Sequence, residues 1–197
     1  MREELEPILF QAMTNKKIGF FISGGFDSMV LLFFCCLLKK EHSLNTEFKI
    51  FTVPRYDDSE AHSNRVIDHI SKKLNMKFDV NLVGNPDLHH SIQVFSGIRE
   101  SLKLVDSILL GDTKNPENLP NGPLRVKSTT KRVLQPFFQY TKKDTVELAI
   151  KLDIIQEISS LSHTCTQSNL LRCNQCWQCR ERAWGFSQNN YTDIGTM

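Results

Sequence analysis

Residues 17–41 read KIGFFISGGFDSMVLLFFCCLLKKE. Lys17 to Ile22 is a short apolar run ending in a glycine pair, the pattern of a buried strand, and Asp27 to Glu41 is apolar almost throughout, the pattern of a buried helix. The stretch therefore predicts a strand, a tight loop and a helix in succession. Adjacent glycines let Ser23-Gly24-Gly25-Phe26-Asp27-Ser28 turn its N–H groups towards a ligand with no Cβ in the way. The helix start adds unpaired donors and the positive end of its dipole. Such a loop cradles phosphate. Ser23 and Ser28 can add hydroxyl donors, and Asp27, an anion beside phosphates, is explained by a contact to magnesium or by capping the helix. Neither Gly-x₄-Gly-Lys-Ser/Thr nor Gly-x-Gly-x-x-Gly is present.

Outward from this stretch, strand and helix patterns keep alternating. Phe48 to Val53 and Phe78 to Val83 read as strands, and Ser59 to Leu74 between them as a helix with Val66, Ile67, Ile70 and Leu74 on one face. A helix around Ile92 to Leu104, strands at Ser107 to Leu110 and Val133 to Phe138, and a helix at Thr145 to Leu152 follow. Alternation of this kind implies right-handed crossovers and a parallel sheet with helices on both faces, an α/β fold. Gly111 to Val126 holds three prolines, which no regular element can use throughout. Because it leaves the carboxyl end of a strand, where ligands of open parallel sheets bind, it is expected to be a substrate lid rather than a slack surface loop. The tail after Phe186 is polar and expected to fray.

Composition excludes several alternatives. Hydrophobic residues at 40% and charged ones at 23% are ordinary globular usage, against disorder, coiled coil or solenoid. A net charge of only +2 gives no overall attraction to nucleic acid, which is not expected as a partner. The longest apolar run, Met29 to Leu38, is about half a membrane span, so no membrane association is expected. The acidic, signal-free start sets a reducing cytoplasm as the expected location, where cysteines favour metal over disulfides. Cys35 and Cys36, inside the apolar run, read as buried apolar residues.

Cys165-x₇-Cys173-x₂-Cys176-x₂-Cys179 is the second chemical signal. Four thiolates close a tetrahedral zinc shell with no open position, the mark of a structural site, while an iron–sulfur cluster would use the same ligands. The expected organisation is a phosphate-binding α/β domain over residues 1–159, a zinc-binding helical appendage over 160–187, and a tail over 188–197.

The Ser-Gly-Gly-x-Asp-Ser loop resembles the PP-loop of the N-type ATP pyrophosphatases, an adenine nucleotide alpha hydrolase-like, Rossmann-like superfamily with a five-stranded parallel sheet. The resemblance implies that ATP is held with its α-phosphorus open to attack by a substrate oxygen, and that pyrophosphate is released before a nucleophile displaces AMP. It also implies a phosphate-binding lysine at a helix start after the last strand, where Lys142 stands in Thr141-Lys142-Lys143-Asp144. The loop joined to this cysteine spacing and to Arg182 and Phe186 is similar to the 7-cyano-7-deazaguanine synthase family of queuosine biosynthesis. The middle of the chain differs from that family's pattern: Pro54-Arg55-Tyr56-Asp57-Asp58 replaces a Tyr-Gly-Gln segment, with Tyr56 and His62 as echoes, and Gly111-Asp112-Thr113-Lys114-Asn115-Pro116 replaces a stretch containing aspartate and tyrosine.

The resemblance implies a ligase that adenylates 7-carboxy-7-deazaguanine and uses ammonia to make an amide and then a nitrile. Its cofactors would be ATP, Mg²⁺ and Zn²⁺. The expected nucleotide contacts are Ser23 to Ser28, Val53 and Gly111, the expected catalytic residues Asp27, Lys142 and Asp112, and the expected metal ligands Cys165, Cys173, Cys176 and Cys179. A homodimer is left open, and the cytoplasm would be that of a bacterium, with the gene bacterial or viral. A PP-loop sulfur transferase acting on tRNA, and a non-catalytic zinc module binding nucleotide or nucleic acid, stay as alternatives. Among weaker signals, His62 and His69 read as surface histidines, and His89-His90 after the Gly84-Asn85-Pro86-Asp87 turn could face the cleft. Arg125, Lys127, Lys131 and Arg132 read as a solvated face or a hold for an anion, and Arg182 equally as a structural pairing residue or a substrate contact.

Overall fold

Strands β1 (Lys17–Phe21), β2 (Glu47–Thr52), β3 (Asp79–Leu82), β4 (Ser107–Leu110) and β5 (Val133–Leu134) form one sheet in the order β3-β2-β1-β4-β5, every pair parallel. The computed structural model describes residues 1–14, 16–54, 59–85, 87–167 and 171–195. Between and after the strands come α1 (Arg2–Met13), α2 (Phe26–Glu41), α3 (Ser59–Leu74), α4 (His90–Ser101), α5 (Lys142–Lys151), α6 (Ile155–Leu161) and α7 (Trp177–Ser187). The expected α/β architecture is present. β1 is central because Ile18 to Phe21 are buried on both faces, as a strand covered by helices on either side must be.

The strand order reverses beside β1, which pairs with β2 on one side and β4 on the other. Phe21 lies opposite Leu110, so the segments beginning at Ile22 and at Gly111 leave the sheet side by side at its carboxyl edge. Crevices of this kind are where open parallel sheets bind ligands. α2 starts directly over that edge and buries every residue from Met29 to Cys36, with Cys35 and Cys36 in the core as expected. Lys39 and Lys40 in its last turn complement the negative end of the helix dipole.

Several features depart from the pattern read in the sequence. α1 was not expected; Leu5, Leu9 and Met13 bury one face at a spacing of four, but Pro7 interrupts the backbone bonding of a helix and obscures that spacing. β5 stops after two residues, because Pro136 has no N–H for the ladder and the chain turns. The irregular stretch from Gly111 continues to Arg132, six residues beyond its expected end. The tail through Gly195 does not fray: Asp193 pairs with the fully buried Arg182 and with Arg172, Gly195 is buried, and Tyr191 packs edge-on against Phe186. No helix among the described residues is long and apolar enough to cross a membrane.

Candidate active site and cysteine cluster

The loop residues are placed by packing that leaves little freedom. Gly24 has φ +78°, a conformation side chains disfavour, and its carbonyl accepts the His163 backbone N–H at 2.9 Å. Gly25 is the N-cap of α2. A Cβ on Gly111 would lie 2.7 Å from the backbone of Ser28, so only glycine lets the end of β4 pass beneath the start of α2. Gly25 N–H donates to Ser23 Oγ at 3.4 Å, and the Ser28 hydroxyl donates to the Gly25 carbonyl at 3.0 Å.

A cavity of about 470 Å³ opens over this loop. Ser23, Gly25, Phe26, Asp27 and Ser28 line it together with Val53, Gly111, Asp112 and Lys142. The structure thus gathers around one cavity all the residues expected to contact nucleotide except Gly24, which is buried behind it. Asp112 at its rim accepts a hydrogen bond from Gln135 Nε2 at 2.9 Å.

At the floor lies a chain of charges. Lys142, the first residue of α5 and almost wholly buried, donates through Nζ to Asp27 Oδ2, and Thr145 Oγ1 donates to Asp27 Oδ1 at 2.8 Å. Asp27 therefore does not cap α2, which has no side-chain cap; its carboxylate faces the lysine. Asp144 fixes the start of α5 by accepting from the Thr141 backbone N–H at 2.6 Å and from the Thr141 hydroxyl at 2.8 Å. Lys142 Nζ also lies 3.9 Å from Glu181 Oε2 on α7, and Arg125 from the irregular stretch approaches the same oxygen at 3.6 Å. Glu181 is 1% exposed. Burial raises its carboxyl above the usual value; Lys142 and Arg125 oppose that shift and Asp27 reinforces it.

Sequence reading did not single out Glu181 or His163 as cavity residues. Glu181 sits between Arg180 and Arg182 in a stretch read for its cysteines, and only the packing of α7 on α5 brings it to the loop. His62 is not on the surface: it is buried and stacks on His163 with ring centroids 4.3 Å apart. His69 pairs with Glu157 at 3.3 Å. Of the basic stretch, Arg125 lines the cavity and lies over Trp177, whereas Arg132 holds the carbonyls of Leu102, Val105 and Asp106. Arg182 is structural: its guanidinium grips Asp193 with two bonds of 2.9 and 3.0 Å and also reaches Ser159, Ser162 and Thr164. Tyr56 with residues 55–58, and Pro86, lie outside the described residues, as does the side chain of His90.

The four cysteine sulfurs lie within 4.8 Å of one another, a donor set that could hold a metal ion. Backbone N–H groups of Cys176 and Gln175 point at the Cys173 sulfur, at 3.2 and 3.5 Å, and hold its thiol down to about 6. N–H donors aimed at sulfur favour the thiolate, the form that binds metal. The cluster adjoins the cavity, since Cys165 and Thr166 form part of its wall.

A phosphate-type loop at the switch point of a five-stranded parallel sheet, lining one cavity with a buried lysine bonded to its aspartate, resembles the arrangement of the PP-loop ATP pyrophosphatases. Within that class the chain resembles QueC: the family model "Queuosine biosynthesis protein QueC" matches residues 113–190, the part that carries Lys142, the cysteines and α7. Among solved structures, the U34-tRNA thiolase NcsA from Methanococcus maripaludis, with its [4Fe-4S] cluster, aligns at a TM-score of 0.54 with 12% identity over 92% of this chain and 71% of that one. The FMN adenylyltransferase of Candida glabrata, in complex with FMN and the ATP analogue AMPCPP, aligns at 0.51 with 16% identity over 91% and 72%. At such identities the likeness is one of fold. No curated protein sequence matches the chain.

Proposed function

We propose that the protein is an ATP-dependent ligase that adenylates a carboxylate and converts it with ammonia to an amide and then a nitrile, with 7-carboxy-7-deazaguanine as the acid and 7-cyano-7-deazaguanine as the product. The observation that carries this reading is that the Ser23–Ser28 loop and buried Lys142, joined through Asp27, line one cavity, together with the QueC match over residues 113–190. The loop N–H groups and the start of α2 are suited to the triphosphate, and Lys142 to charge that builds as pyrophosphate leaves. Asp27, now paired with Lys142, and Asp112 are the carboxylates available to a magnesium ion. Val53 and Gly111, where β2 and β4 end, would lie against the adenosine. The ion, when bound, would supply positive charge to the phosphates.

The residues would act by placement. Lys142 is held by Asp27 and sits at the start of a helix, so little side-chain motion is needed to meet a phosphate. Arg125 brings the Gly111 to Arg132 stretch over the cavity wall, which suits it to keep water from a reactive acyl-adenylate. Zinc is the metal the cysteine geometry favours. Four thiolates at about 2.3 Å from one ion are about 3.8 Å apart, in keeping with sulfurs within 4.8 Å of each other, whereas in a [4Fe-4S] cluster each cysteine ligates a different iron and stands further off. The ion would be structural, residues 160–187 forming a small zinc-bound unit on an ATP-binding domain of residues 1–159.

Mass spectrometry of reactions containing ATP, ammonia and 7-carboxy-7-deazaguanine tests the function. Amide and nitrile with AMP are expected. Absence of both, or metal analysis finding iron and labile sulfide together with sulfur transfer to tRNA, would overturn it.

A further inference from the structure

The phosphate loop is tied directly to the cysteine segment. The Gly24 carbonyl accepts the His163 backbone N–H at 2.9 Å, and Cys165, the first of the four cysteines, follows two residues later in the same stretch. Glycine can take many backbone conformations, so this bond helps to select the one that the loop adopts. A peptide unit is planar and trans, so a fixed Gly24 carbonyl also fixes the direction of the Gly25 N–H. That N–H has one acceptor among the described residues, Ser23 Oγ at 3.4 Å, a long bond that a phosphate oxygen can replace. Lys142 is tied to the same segment. Cys176 caps α7 and Cys179 lies in its first turn, while Glu181 of that helix stands 3.9 Å from Lys142 Nζ. Gly185 packs so closely that a Cβ there would collide with the Lys142 side chain. Arg182, three residues beyond Cys179, bonds to Ser162 and Thr164 on either side of His163. The cysteine segment therefore touches both the loop and its lysine, and Cys165 itself lines their cavity.

We propose that the four-cysteine metal site positions the phosphate loop through the bond from His163 to Gly24, so that zinc and magnesium-bound ATP strengthen each other's binding. The inference rests on the zinc and ATP readings above. A segment already ordered around its metal presents the His163 N–H to Gly24, so the nucleotide meets a loop that is set in place. Nucleotide held by that loop favours the ordered segment in turn, and by the same factor, because coupling between two binding sites is reciprocal.

Competition for zinc tests the coupling without any measurement of turnover. Zinc-loaded protein is titrated with the chromophoric chelator 4-(2-pyridylazo)resorcinol, with and without saturating magnesium and AMPCPP, an ATP analogue that cannot be cleaved between its α- and β-phosphates. Zinc affinity should rise about fivefold or more with the nucleotide. A nucleotide that merely chelated zinc would shift it the other way. His163→Pro removes the N–H that reaches Gly24, at a position where Ser162, with φ −79° and ψ 140°, already has the extended conformation that a residue before proline adopts. His163→Ala keeps the N–H and removes only the ring. His163→Pro should still take up one zinc ion but show no rise with AMPCPP, and should bind AMPCPP about fivefold or more weakly in calorimetry, whereas His163→Ala should keep the coupling. Zinc affinity of the unaltered protein that does not change with AMPCPP would overturn the proposal, as would full coupling in His163→Pro or equal loss of it in His163→Ala. If zinc-loaded, unaltered protein binds no AMPCPP, the ATP reading itself fails and this inference falls with it.

Discussion

Replacing Asp193 with asparagine should destabilise the protein far more than a change near the end of a chain usually does. Arg182 is 0% exposed and packs against the rings of Phe26 and Phe186, at 5.6 and 5.5 Å from their centroids. Its counter-ion is Asp193, bound through both oxygens. Removing one partner of a buried pair costs about 3–5 kcal/mol, because the remaining charge stays desolvated. Asn keeps one acceptor, and the carbonyls of Ser159 and Ser162 still receive two of the guanidinium donors, so the lower end, about 3 kcal/mol, is the expected cost. At this chain length that corresponds to a Tm lower by roughly 6–12 °C in calorimetry of the metal-loaded protein. Acid should act on the same contact. Burial alone would raise the Asp193 carboxyl, but Arg182 and Arg172 hold it below its usual 3.8. A depressed carboxylate stabilises the fold above 3.8 and loses that contribution as pH falls through its lower folded value, so unaltered protein should lose Tm below about pH 4 more steeply than Asp193→Asn. A variant within 1 °C of the unaltered protein, with the same acid slope, would refute the reasoning.

Other consequences follow from the site. Gly111→Ala should cost about 1–3 kcal/mol in urea unfolding, because its Cβ would meet Ser28 backbone 2.7 Å away and neither segment can give. Lys142→Met should abolish ATP turnover while circular dichroism stays native, since methionine fills the buried stem; retained turnover would remove the lysine from the phosphate site. Chelation should raise amide exchange around Cys173 to Phe186 before it does so in β1, because a structural zinc site contributes about 10–16 kcal/mol to the segment it folds. Unchanged exchange after metal loss would show that α7 is held by Arg182 and Phe186 alone.

The sheet and loop were legible because their signals are local. Lys17 to Glu41 carries strand, turn and helix in one continuous run, and the cysteine spacing brings four sulfurs together with few other requirements. What escaped depends on distant contacts. Nothing near Asp27 announces that Lys142 will bind it from 115 residues away, or that Glu181 will complete the floor from another helix. The polar tail looked free because Asp193 stabilises the fold only through Arg182, and that arginine, among the cysteines, invited a substrate role as readily as a structural one. His62 was misplaced for a similar reason: helical periodicity gives its face, but only His163, a hundred residues on, shows that the face is covered.

Adenylation of a carboxylate by the Ser23–Ser28 loop is tested most directly by labelling the acid. With 7-carboxy-7-deazaguanine carrying oxygen-18 in its carboxylate, ATP, Mg²⁺ and ammonia, the AMP released should contain one labelled oxygen in its phosphate, because an acid oxygen attacks the α-phosphorus and leaves with AMP. Label absent from AMP, or ADP and phosphate formed in place of AMP and pyrophosphate, would contradict the account.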